Sequence, residues 1–147
     1  MKALVQLLIL FLIVFAAWKW WERHHSTSTT TSASSSPAQE CAAAAAAAGE
    51  TWGSGVGRFA NPPYDTAAWD EFRTRVDQQA RRAQEKCLCG DNACNTAKSA
   101  MSDLRGLVSE MDSALRSGSP PPSDLVQRQE AIDNAINSAK EQAKTSS

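Results

Sequence analysis

Three of the four cysteines fall within eight positions, in "KCLCGDNACN" (residues 86–95), and the fourth is Cys41. Thiols grouped in this way serve metal ligation, thiol–disulfide exchange or covalent cross-linking. A structural zinc site is signalled by paired C-x2-C knuckles, whereas the spacing here is C-x-C-x4-C with a distant fourth ligand. An exchange site prefers C-x-x-C at a helix N-terminus, whereas here C-x-C closes one helical segment and a single cysteine opens the next. An even number of cysteines in a short domain fits two structural disulfides. That is the preferred reading of Cys41, Cys87, Cys89 and Cys94, with a cysteine-based metal-binding or thiol-redox sensor as the alternative.

Other residue types that could do chemistry are poorly placed. Gly53, Gly55 and Gly57 form "GSGVG", which is not G-x-G-x-x-G, and neither a preceding strand nor a P-loop lysine accompanies them. The two histidines, His24 and His25, adjoin an apolar N-terminal run, and residues 26–147 contain none. A Cys–His or Ser–His pair within that region is therefore excluded. Carboxylates are interleaved with basic residues, as on a solvated face. No catalytic residue, cofactor site or metal ligand set is expected, and no small-molecule substrate is identified. Residues 38–147 carry 12 Lys/Arg against 15 Asp/Glu, which is no footprint for nucleic acid.

The elements that would position the cysteines are helical. Cys41, Ala45, Ala48, Trp52, Val56 and Phe59 recur at steps of three and four, as do Trp69, Phe72, Val76, Ala80, Ala83 and Cys87. Cys94, Ala97, Met101, Leu104, Val108, Met111 and Leu115 repeat the pattern most regularly, and Leu125, Gln129, Ile132, Ile136, Ala139 and Ala143 keep it with less apolar mass. No segment alternates with period two. "NPPYD" (residues 61–65) separates the first two helices, with Asp65 or Thr66 as N-cap. Gly90 suits a left-handed position after the second helix, and Asp91 an N-cap for the third. The pairs Glu71/Arg75 and Asp77/Arg81 mark the solvated face of the second helix. "SGSPPPSD" (residues 117–124) is a proline hinge before a fourth helix, capped by Ser123 or Asp124. The three glycines near Trp52 predict that the first helix frays or ends there.

These elements predict an all-α, up-down bundle of three to four helices stapled by disulfides. Whether the fourth helix packs on the others or extends as an arm is open. In such a bundle the first helix begins where the second ends and the third begins. Cys41 and Cys87 lie 23 residues on either side of Tyr64, so they are level across the hairpin. Cys87–Cys89 is too short to bridge. Two connectivities are left, Cys41–Cys87 with Cys89–Cys94, or Cys41–Cys89 with Cys87–Cys94, and the level register favours the first.

The stretch "CLCGDNACNTAKSAM", a C-x-C-x4-C turn between two amphipathic helices, resembles a pattern in uncharacterised bacterial proteins predicted to be exported. It covers the second and third helices, about a third of the chain. The resemblance implies a bacterial envelope setting and no activity.

The N-terminal run "ALVQLLILFLIVFAAW" (residues 3–18) contains no charge, and extended through Trp21 it reaches 19 residues, or about 28 Å of helix. That length matches a hydrocarbon core of about 30 Å. Trp18, Trp20 and Trp21 form an aromatic belt beside Lys19. Residues 1–25 therefore read as a transmembrane anchor with a juxtamembrane segment, in preference to a signal peptide cut near Val14-Phe15-Ala16. Residues 26–37 read as a Ser/Thr-rich linker, and 38–147 as the bundle. Lys2 is set against Lys19 and Arg23, so flanking charge barely orients the anchor. The cysteines favour an oxidising compartment, hence a single-pass protein of the bacterial inner membrane with its C-terminal domain in the periplasm. The expectation for function is a structural or protein-interaction role, not catalysis, with a protein partner or self-association.

Overall fold

The structure is a computed structural model that describes residues 35–145. The apolar 3–21 segment, and with it the expected anchor and most of the linker, lies outside the described residues. Among the described residues no helix is long and apolar enough to cross a membrane.

Four helices and no strand are present among those residues. Helix α1 (Pro37–Gly55) starts one residue earlier than the linker reading allows. Ser36 caps it, accepting from Gln39 N at 3.3 Å, while the Gln39 side chain accepts from Ser36 N at 3.2 Å. Pro37 follows at the first helical position, where its missing N–H costs nothing. The reciprocal pair is a capping box, so the last linker residues serve the helix.

The glycines do not end α1 at Trp52. The helix continues to Gly55 and tightens into a 3-10 turn, Val56–Phe59, which buries both Val56 and Phe59. The reason is tertiary. The Phe72 ring lies so close to Gly55 that a Cβ there would stand 2.2 Å from Phe72 Cε2. Burial against α2 thus outweighs poor propensity.

Helix α2 (Thr66–Lys86) is capped by Asp65, whose side chain accepts from Ala68 N at 3.0 Å. Helix α3 (Asn92–Arg116) is capped by Asp91, accepting from Cys94 N at 2.8 Å. The left-handed residue expected at Gly90 is instead Gly118, with φ 68°, the only glycine with positive φ among the described residues. Gly118 N donates to Leu115 O and Ser119 N to Ala114 O, at 3.2 and 2.9 Å. These two bonds close the end of α3 as a Schellman motif. Helix α4 (Leu125–Thr145) begins after the prolines, and the Asp124 carbonyl accepts from Arg128 N at 2.9 Å.

The chain runs up and down. Thr96 reaches Gln142 at 3.3 Å, which sets the start of α3 beside the end of α4. Trp69 reaches Asp112 at 2.9 Å, which sets the start of α2 beside the end of α3. Helix α4 packs on α1 and α3, which closes the bundle instead of leaving an arm. Across the diagonal, α1 also meets α3, because Ala45 and Ala48 present almost no bulk. The apolar positions of the first three periodic series are all buried, and Ala93, Ala100 and Leu107 widen the stripe on α3. Volume is concentrated at the other end of the bundle, where Trp52, Phe59, Trp69 and Phe72 pack with centroids 5.1–6.5 Å apart. No buried polar or charged residue interrupts the core of the described residues.

Candidate functional site

The cysteines gather at the end of the bundle opposite the aromatic cluster. Cys41 lies in the second turn of α1, Cys87 caps the C-terminus of α2, and Cys94 is the third residue of α3. Their placement follows from the hairpin. The Cys87 N–H donates to Ala83 O at 3.0 Å and ends α2, and four residues later the chain reaches the Asp91 cap. Cys41 is paired with Cys87, with Cα atoms 4.7 Å apart, and Cys89 with Cys94 at 5.8 Å. This is the connectivity favoured by the register about Tyr64.

The two pairs sit in different surroundings. Cys41 and Cys87 are 0% and 2% exposed and belong to the core. Cys94 is equally buried, but Cys89 is partly exposed, and the neighbouring Leu88 is 82% exposed. The Cys89 and Cys94 sulfurs and an Asp91 carboxylate oxygen lie within 4.8 Å of one another. Two of those three atoms are joined in the disulfide, so this form offers no thiolate pair for a metal.

Charged groups elsewhere connect helices. Asp77 receives Arg81 of its own helix at 2.8 Å and Arg105 of α3 at 2.9 Å. Burial pushes the Asp77 carboxyl up, but the hydrogen bonds and charges of the two guanidinium groups outweigh it and hold the carboxyl below its ordinary range. Asp77 is therefore a helix–helix contact as well as part of the polar face. Glu71 and Arg75, the other expected pair, form no ion pair and line a shallow surface furrow with Thr74. Asp112 is likewise pushed up by burial and brought below its ordinary range by the Trp69 indole, by Arg116 and by the charge of Arg73. Arg116 continues from Asp112 to Asp70 at 2.6 Å, which ties the end of α3 to the start of α2. Glu110 of α3 pairs with Arg128 of α4.

Between α1 and α4 runs an open furrow of about 480 Å³, with Ala46, Gly49 and Gly53 on one wall and Asp133, Ile136 and Lys140 on the other. Gly49 is a packing residue, because a Cβ there would stand 2.7 Å from Ile136 Cδ1. Asp133 lies in this furrow, and burial pushes its carboxyl above the ordinary range.

Reading the sequence for helical faces missed Asp112, Arg105 and Asp133. Each lies where two helices meet, and pairing across helices has no fixed sequence spacing to signal it. The one local clue was at Asp133, a carboxylate directly beside the apolar Ile132. No family model, curated protein or solved structure matches this chain.

Proposed function

We propose that the protein is a membrane-anchored, extracytoplasmic helical bundle with a structural or protein-interaction role, held on a short linker and devoid of catalytic activity. The observation that carries this reading is that four helices close a core of their own between residues 37 and 145. The apolar 3–21 sequence, whose one charge is Lys19 near its end, is then left to serve the bilayer, which its length suits. Charged side chains fit the reading, since Asp77–Arg105, Asp70–Arg116 and Glu110–Arg128 join neighbouring helices at the surface. Both disulfides require an oxidising compartment to persist, which supports the periplasmic side. The bacterial envelope setting rests on the resemblance of the C-x-C-x4-C turn.

The test is cross-linking in intact membranes followed by mass spectrometry, with carbonate extraction of the same membranes. A specific partner or a homo-oligomer, in a fraction that resists extraction, is the expected result. A protein released by carbonate and captured with neither would refute the proposal.

A further inference from the structure

We propose that the Cys89–Cys94 disulfide is a thiol–disulfide exchange site that takes two electrons from a dithiol, while Cys41–Cys87 stays closed. Three observations meet at this turn. First, the pairs differ in access: both cysteines of Cys41–Cys87 are buried, whereas Cys89 is partly exposed beside the outward-facing Leu88. Gly90, on its other side, is exposed, and a Cβ added there would meet nothing within 4 Å beyond its chain neighbours, so this side of the turn is open.

Second, the accessible pair is local. Cys89 and Cys94 are five positions apart and cross-link no two helices, whereas the buried pair spans 46 positions and joins α1 to α2. The Asp91 cap on Cys94 N is made by a carboxylate and does not need the disulfide. Opening this bond leaves every helix in place.

Third, the pair is chemically directional. An incoming thiol loses its proton to solvent, and its sulfur attacks the reachable Cys89 Sγ. The Cys89–Cys94 bond breaks, and its electron pair goes to Cys94 Sγ. That sulfur sits in the first turn of α3, where the positive end of the helix dipole favours negative charge. The second thiol of the dithiol then attacks the mixed disulfide, and Cys89 leaves. Both protein sulfurs take protons from solvent, the protein gains two electrons and the dithiol becomes a disulfide. The Asp91 carboxylate, within 4.8 Å of both sulfurs, opposes charge on the leaving sulfur and holds the rate down. This assignment does not depend on which protein the bundle binds, so cross-linking and exchange can fail separately.

The experiment treats the full chain, in detergent and without denaturant, with dithiothreitol, and traps thiols with iodoacetamide over time for peptide mass spectrometry. Label on Cys89 and Cys94 is expected at least about tenfold faster than on Cys41 and Cys87, following thiolate access. Equal rates, or earlier opening of Cys41–Cys87, would overturn the proposal. With glutathione, a monothiol, and an acid quench, the mixed disulfide is expected on Cys89, and finding it on Cys94 would overturn the direction of attack. Asp91→Asn keeps a capping oxygen and removes the charge. It is expected to speed opening severalfold at an unchanged thermal midpoint, and an unchanged rate would remove Asp91 from its rate-limiting position.

Discussion

Phe72 occupies the space that a side chain at Gly55 would need, since a Cβ there would stand 2.2 Å from one ring carbon and 2.9 Å from two more. Gly55→Ala gains about 1 kcal/mol of helix propensity but overpacks a full core at a cost of about 1–3 kcal/mol. A net loss in urea-unfolding stability is therefore expected. Gly106, in the middle of α3 with nothing within 4 Å of an added Cβ, provides the contrast. Gly106→Ala is expected to stabilise by up to about 1 kcal/mol.

The two tryptophans of the described residues, both buried, differ in the partner of the indole nitrogen. Trp69 Nε1 donates to Asp112 at 2.9 Å, whereas Trp52 Nε1 is buried without a hydrogen-bond partner among the described residues. Trp69→Phe loses a charge-assisted bond worth about 1.5–3 kcal/mol along with ring volume, and Trp52→Phe loses volume alone. Thermal unfolding of both variants is expected to rank Trp69→Phe as the more damaging.

Much of this was legible beforehand. The apolar seam of each helix, the Asp65 and Asp91 caps and the end-on convergence of the cysteines follow from residue type and spacing. The errors lie where a neighbouring helix decides the outcome. Three glycines predict a frayed end, yet Phe72 keeps Gly55 in the helix. Gly90 and Gly118 both follow a helix, and only the backbone bonds from Gly118 and Ser119 distinguish the left-handed one. The docking of α4 could not be read from a weak apolar face, because it depends on the space that Gly49 leaves for Ile136.

Loop length separates the two disulfides energetically. In the chain-entropy account, closing about 47 residues through Cys41–Cys87 stabilises by about 4 kcal/mol, and closing about six through Cys89–Cys94 by about 2 kcal/mol. Paired Cys→Ala variants measured by urea unfolding are expected to show that order. The Cys89/Cys94 variant is expected to keep native helicity by circular dichroism.

The response to acid divides by carboxylate. Asp77 and Asp112 titrate below their unfolded values, so their stabilisation is complete above the ordinary carboxylate pKa and is lost as pH falls through the lowered one. Asp133 titrates above its unfolded value, so its ionised form costs stability at neutral pH and that cost disappears in acid. Asp133→Asn is expected to raise the thermal midpoint at pH 7 and to lose that advantage near pH 3. Asp77→Asn is expected to lower the midpoint at pH 7, with the deficit shrinking on acidification.

The Cys41–Cys87 bond also fixes how the bundle meets mechanical tension. A pull on the chain ahead of Ser36 travels only five residues before it reaches Cys41. There the force passes through sulfur into the end of α2. The alanine-rich remainder of α1, with little side-chain bulk to resist peeling, is thereby kept off the load path. A domain tethered by its N-terminus through such a bond yields by shearing the α1–α2 pair as a unit, and not by unzipping one helix turn by turn.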